Sequence, residues 1–248
     1  MTVLPSNPHR RLLLLSNSRN AGQGYLEHAL HTLHDFLGSE RRRVLFVPYA
    51  GVRLSYDDYA DTVRERFESL GYALDGIHQA DDPGRAVADA EAIVVGGGNT
   101  FHLLREVAEQ GLLPRIRARV NEGVPYIGWS AGANLACPTI CTTNDMPIVA
   151  PPSLEALGLV PFQINPHYTD EHPEGHQGET RPERIQEFCI ANPEMPVVGL
   201  PEGTMLRVEG HRLTLLGDHP ARLFHDEDEP EECAPGDSLQ MLMEQAAS

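Results

Sequence analysis

The sequence predicts an α/β fold in which a mostly parallel sheet is flanked by helices on both faces, with antiparallel strands gathered at the C-terminal end. Two observations carry that expectation. Short runs that are apolar at nearly every position alternate with longer stretches whose apolar residues return every three or four places, which is strand and covering helix in turn. The strand-like runs also lack the in-and-out alternation of a sheet with one wet face, so both faces need cover.

Arg11 to Leu15 opens the series, followed by Val44 to Val47, Tyr72 to Ile77, Ala92 to Val95 and Tyr126 to Trp129. Between them Tyr25 to Leu37, Tyr56 to Leu70 and Thr100 to Gln110 keep the helical period. After residue 130 the rhythm changes to a proline-rich stretch from Met146 to Pro152, a strand-like run from Leu159 to Ile164, a polar segment from His167 to Arg181 and a helix near Pro182 to Ile190. Val197 to Leu200, Met205 to Val208 and Arg212 to Leu216 read as antiparallel closing strands, joined at hairpin spacing by the turn residues Pro201-Glu202-Gly203 and Glu209-Gly210. From about residue 225 the acidic run His225 to Glu232 reads as solvated or mobile surface. No repeat or linker interrupts residues 1–248, which are read as one α/β domain.

With 36 acidic against 19 basic residues the formal charge is −17, which repels phosphate backbones and anionic membrane surfaces. Neither nucleic acid nor membrane is an expected partner. An acidic small molecule is compatible with that charge, because one arginine in a low-dielectric cleft outweighs a diffuse field screened over about 8–10 Å. Leu12 to Leu15 is too short for a secretory segment or a membrane span. The four cysteines show no C-x-x-C pair and no disulfide framework, which fits a cytoplasmic location. Cys137 and Cys141 are spaced to share a helical face as zinc ligands, but Pro138 between them favours two buried or half-buried free thiols.

Chemistry should collect beyond the carboxyl ends of the strands. There, Gly128-Trp129-Ser130-Ala131-Gly132 places one serine between two glycines where a strand should turn into a helix, the pattern of a nucleophile elbow. Gly96-Gly97-Gly98-Asn99-Thr100 follows another strand, and its bare backbone can aim N–H groups at an anion. Gly97, Gly98 and the N–H of Ala131 would form an oxyanion hole. A phosphate loop is the rival reading, but no Lys-Ser/Thr pair follows. Among twelve histidines, His167 stands just past a strand and behind the stiffening Pro166, facing the same cleft as Ser130. His28, His31 and His34 read as a solvated stripe. Asp145 and Glu202 are both candidates to orient His167, and spacing does not decide between them.

The motifs Gly96 to Thr100, Gly128 to Leu135, Thr143-Asn144-Asp145-Met146-Pro147, Gln163 to His167, Pro173 to His176 and Gly178 to Arg181 together resemble the peptidase E family, the bacterial α-aspartyl dipeptidases. The resemblance implies a sheet like that of class I glutamine amidotransferases, flavodoxin-like in its layering, with serine where those enzymes carry cysteine. It implies a Ser130–His167–Asp145 relay, with Glu202 as second choice for the third member, and no cofactor. The expected reaction is hydrolysis of Asp-Xaa dipeptides through an aspartyl ester, with Arg181 as a fork for the aspartate carboxylate and Asn99 beside it. Alternatives are a cyanophycinase-like peptidase acting on β-aspartyl-arginine and a catalytically silent binding module. Zinc held by His167, His172 and His176 with Asp170, Glu171 and Glu174 is a further alternative, but the segment is a glycine- and proline-bearing loop and no metal is expected. The apolar stripe of Tyr56 to Leu70 leaves monomer and homodimer both open.

Overall fold

Leu12 and Leu14 of the first strand point into one apolar layer while Leu13 and Leu15 point into another, and all four are fully buried. The same split holds for Leu45 and Val47 against Val44 and Phe46, and for Ile93 and Val95 against Ala92 and Val94. A strand with a residue period of two can be continuously apolar only when both sides are covered. A computed structural model shows how that is done; it describes residues 7–40, 42–171, 175, 177–226 and 229–244.

The strands are β1 (Arg11–Leu15), β2 (Arg43–Val47), β3 (Ala73–Gly76), β4 (Ala92–Val95), β5 (Tyr126–Trp129), β6 (Gln163–Tyr168), β7 (Val197–Pro201), β8 (Met205–Glu209), β9 (Arg212–Leu216), β10 (Ala221–Phe224) and β11 (Glu231–Cys233). The α-helices are α1 (Leu30–Leu37), α2 (Tyr56–Ser69), α3 (Pro83–Asp89), α4 (Thr100–Glu109), α5 (Leu112–Asn121), α6 (Ala131–Ala136), α7 (Arg181–Ala191) and α8 (Gln240–Glu244). Helices α1 and α2 cover one face of the large sheet through Leu33, Phe36, Val63 and Phe67. Helices α3, α4 and α5 cover the other through Val87, Leu103, Leu104, Ile116 and Val120. Side-chain caps fix where the helices start: Ser55 accepts from the Asp58 N–H at 3.1 Å, Asn99 from that of His102 at 3.0 Å, and Thr180 and Glu183 form a reciprocal box at the head of α7.

The large sheet has the order β3-β2-β4-β5-β1-β8-β9, parallel from β3 to β1 and antiparallel at β8 and β9. This is the expected architecture, with several additions and one change of strand pairing. Helices α3, α5 and α8 and strands β10 and β11 were not anticipated, and the strand expected over Leu159 to Ile164 is β6, which starts at Gln163 and runs on through His167 to Tyr168. The change of pairing concerns the closing strands. The β8–β9 hairpin forms as expected through Gly210, but β7 does not pair with β8. It lies in a second sheet of order β11-β10-β7-β6, parallel to β6 and antiparallel to β10. Pro201-Glu202-Gly203 is therefore a crossing from one sheet to the other, not a hairpin turn.

The acidic run is also more ordered than expected. Glu231 and Glu232 belong to edge strand β11, where Glu232 pairs with Arg222 at 3.0 Å, and charge on an edge discourages further strand pairing. Glu227 and Asp228 lie outside the described residues, as do His172, Glu174 and His176 of the zinc alternative. Among the described residues, no helix is long and apolar enough to cross a membrane.

Of the cysteines, Cys137 is buried with its thiol pushed up to about 12, burial likewise raises Cys189 to about 11, and Cys233 is buried and raised. Cys141 is exposed, against the expectation of two covered thiols. A thiolate-seeking disulfide reagent is thus expected to titrate one thiol in the native protein and four in denaturant, with the native adduct mapping to Cys141 by mass spectrometry. Two or more fast thiols before unfolding would contradict this burial pattern.

Candidate active site

Strands β1, β4 and β5 end side by side, and the loops beyond them build one cleft. Ser130 is the residue between β5 and α6, with φ 52° and ψ −112°, a conformation that costs a non-glycine residue about 1–3 kcal/mol. The elbow closes so tightly that a Cβ on Gly132 would stand 2.2 Å from the Val95 carbonyl oxygen. The Ser130 N–H donates to the Leu15 carbonyl at 3.0 Å, while its hydroxyl makes no capping bond to α6 and is left to face the cleft.

His167 comes from the other sheet. Its Nε2 is 3.0 Å from Ser130 Oγ and its Nδ1 is 2.7 Å from Glu202 Oε1. The carboxylate on the imidazole is therefore Glu202, carried there by the sheet crossing, and not the first-choice Asp145. Asp145 is occupied elsewhere: its Oδ2 accepts from the Thr100 N–H at 2.8 Å, the Thr100 hydroxyl at 2.6 Å and the Thr143 hydroxyl at 3.1 Å. It pins the start of α4 and with it the end of the glycine loop. The His167 and Glu202 side chains are 40% and 58% exposed, so solvent screens their attraction.

The glycine loop lies against the serine: a Cβ on Gly97 would be 3.1 Å from Ser130 Cβ. Gly98 has φ +140° and leaves no room for a side chain, since a Cβ would fall 2.1 Å from the Ala50 carbonyl oxygen. The N–H groups of Gly97 and Gly98 meet no acceptor among the described residues, and that of Ala131, the first residue of α6, is one of the helix's orphan donors. Asn99 does not offer its side chain to the cleft. Its Oδ1 caps α4 and its Nδ2 donates to the Met146 carbonyl at 2.9 Å, so the amide expected to meet a ligand holds the loop instead.

Behind the loop stands a polar aromatic set that the sequence reading missed. Tyr59 donates to the Gly97 carbonyl at 3.0 Å, and Trp129 Nε1 and the Tyr25 hydroxyl reach the Tyr59 oxygen at 3.2 and 3.1 Å. Burial pushes the Tyr59 and Tyr25 phenols up, so they stay neutral. The tyrosines sit at ordinary helical and loop positions, and only their convergence reveals the role. His28 also departs from the solvated stripe: both its ring nitrogens are buried without a partner among the described residues, and burial lowers its pKa against the raising field of Glu202.

The cleft over Ser130 has a volume of about 720 Å³, with Ser18, Tyr25, Gly98, Asp145, Ile148 and His167 on its walls. Arg181 opens into an adjoining cavity of about 650 Å³, and Asp145 lines both. Arg181 is half-buried, its Nη1 is covered and without a partner among the described residues, and its pKa is lowered by that burial and then by Arg184. Thr180, not Arg181, caps α7. No group of three or more His, Cys, Asp or Glu positioned to hold a metal occurs among the described residues.

Comparison with known proteins shows what the whole chain is similar to. A sequence model of peptidase family S51 matches residues 12–216. Peptidase E of Nostoc sp. (strain PCC 7120 / SAG 25.82 / UTEX 2576) is 49% identical over 238 residues, which cover 96% of this chain and 98% of that protein. Peptidase E of Citrobacter koseri is 53% identical over 214 residues, covering 86% and 93%. The crystal structure of a peptidase from an acI-B1 Actinobacterium is similar in fold, with a TM-score of 0.66 at 18% identity over 94% of this chain and 98% of that one.

Proposed function

The chain belongs to peptidase family S51 and is a serine peptidase, and from that premise we propose that it is a dipeptidase cleaving Asp-Xaa through an aspartyl ester on Ser130. The observation that carries the reading is the line of contacts from Ser130 through His167 to Glu202, at 3.0 and 2.7 Å, beside a glycine loop with unspent N–H groups. Ser130 Oγ attacks the carbonyl carbon of the aspartyl residue as His167 Nε2 takes its proton. Glu202 holds Nδ1–H and fixes the tautomer in which Nε2 can accept. The Gly97, Gly98 and Ala131 N–H groups receive the oxyanion, each typically worth about 10²–10³ in rate. His167 returns the proton to the leaving amine, and a water repeats the sequence on the ester.

Selection needs a cation for the side-chain carboxylate and an anion for the free amino group. Arg181 supplies the first from the adjoining cavity. Asp145 supplies the second, because all its hydrogen bonds to the described residues fall on Oδ2 and leave Oδ1 for a ligand at the junction of the two cavities. An Arg181→Gln variant is expected to raise KM for Asp-Leu by about 30-fold to a few hundredfold, the equivalent of roughly 2–3.5 kcal/mol for a half-buried charge pair. Labelling of Ser130 by a fluorophosphonate should be unchanged. An unaltered KM would remove Arg181 from recognition.

The reading is tested by assaying Asp-Leu, a β-aspartyl-arginine dipeptide and polymeric cyanophycin side by side. Cleavage of Asp-Leu alone supports it. Cleavage confined to the β-linked substrates would replace it with a cyanophycinase-like activity. No cleavage and no fluorophosphonate labelling would leave a binding module. The protein is proposed to work in the cytoplasm on a small acidic dipeptide, without nucleic acid, membrane or cofactor, as a monomer or homodimer built from one domain.

A further inference from the structure

Strand β1 is followed directly by Ser16 and Asn17, which are 0% and 1% exposed and take no part in the chemistry above. The Ser16 hydroxyl donates to the Leu200 carbonyl at 2.7 Å and accepts the backbone N–H of His167 at 2.8 Å. Its own N–H donates to the Thr204 carbonyl at 3.0 Å. Asn17 Oδ1 accepts the Gly203 N–H at 2.8 Å, while its Nδ2 is held by the Arg19 carbonyl at 2.9 Å and Asn20 Oδ1 at 2.8 Å. One strand end thus grips the chain on both sides of Glu202 and at His167 itself.

The side chains of His167 and Glu202 are partly open to solvent, so their line-up depends on the backbone from which they spring. The β6–β7 register breaks between Pro166 and Tyr168, which takes His167 out of the ladder, and it stands at φ 53°, where its surroundings must hold it. Its N–H would lack a partner there without the Ser16 oxygen.

We propose that Ser16 and Asn17 are positioning residues, whose buried hydroxyl and amide fix the His167 and Glu202 backbones so that the imidazole meets Ser130 on one side and the carboxylate on the other. This rests on the assignment of Ser130, His167 and Glu202 as the reacting and orienting groups. A shift of about 1 Å in such a group costs on the order of 10²-fold in rate. Ser16→Ala is therefore expected to lower kcat on Asp-Leu by roughly 10- to 100-fold with KM within about threefold, and Asn17→Ala by about 10-fold. Ser16→Thr keeps the hydroxyl and should recover most of the loss.

The experiment measures kcat, KM, the fluorophosphonate labelling rate of Ser130, and the downfield proton resonance of His167 Nδ1–H on Glu202, all in the full chain. That resonance is assigned by its disappearance in Glu202→Gln, and it needs no substrate. Its loss or shift in Ser16→Ala and Asn17→Ala, together with slower labelling, is the expected result. Wild-type resonance and kcat in both variants, with only a lower melting temperature, would overturn the proposal. So would a loss in Ser16→Thr equal to that in Ser16→Ala, which assigns the effect to packing. If Ser16→Ala does not fold, Asn17→Ala decides by the same readouts. Failure of the catalytic reading looks different: Ser130→Ala would keep cleaving Asp-Leu, while the resonance still reports whether the clasp aligns His167.

Discussion

Ser130→Ala is expected to lower kcat on Asp-Leu by about 10⁶ while the protein stays folded. The size follows from the arrangement. Among the described residues the Ser130 hydroxyl is the group hydrogen-bonded to His167 Nε2 that can form an ester, and without it neither the imidazole nor the glycine loop has a covalent step to assist. A residual acceleration of about 10³–10⁴ over water should survive, because binding and the oxyanion donors remain. Folding should be spared for three reasons. Ser130 contributes no side-chain cap to α6, its backbone bond to Leu15 is independent of the hydroxyl, and alanine inherits the strained φ without adding volume. Kinetics and a thermal melt on the same preparation check this. Full Asp-Leu turnover in the variant would end the serine mechanism, whereas a melting temperature lower by tens of degrees would mark the residue as structural.

How far the sequence could be read depended on whether a local pattern dictates a local conformation. Gly128-x-Ser130-x-Gly132 does so, since the close approach of β5, α6 and β4 admits nothing larger at Gly132, and a serine so flanked must turn outward. The glycine loop is legible for the same steric reason at Gly98. His167 was legible from its place behind Pro166 at a strand end. Asn99 carried a local signal that was read as a ligand contact, although an asparagine one residue before a helix is first of all a cap. That Glu202 and not Asp145 lies on the imidazole has a non-local reason. Read as a hairpin turn, Pro201-Glu202-Gly203 has no claim on the cleft. Only the pairing of β7 with β6 and β10, set by which apolar faces bury each other, turns that segment into the crossing that delivers Glu202 to His167. A positioning role for Ser16 and Asn17 was not legible either, because the groups that would carry it, the Leu200 carbonyl and the His167 and Gly203 N–H groups, lie more than 150 residues away in the chain.

The same topology predicts how the two carboxylates should differ when each is neutralised. In Glu202→Gln the amide can present its N–H to Nδ1 and stabilise the tautomer protonated on Nε2, which cannot take a proton from Ser130. At a buried carboxylate that error costs about 10⁴ in kcat. Glu202 is 58% exposed, so water can re-solvate the imidazole and the glutamine can turn its oxygen inward, and the expected loss is nearer 10²–10³ with KM little changed. In Asp145→Asn the relay is intact. What goes is the charge proposed to face the substrate's ammonium and part of the hold on Thr100, so kcat/KM should fall by about 10- to 100-fold chiefly through KM. Fluorophosphonate labelling separates the two without any substrate, since it requires an activated Ser130 but no ammonium site. It should slow in Glu202→Gln and proceed near the native rate in Asp145→Asn. The reverse outcome, with labelling lost only in Asp145→Asn, would return the orienting role to Asp145 and require the β6 and β7 loops to rearrange before catalysis.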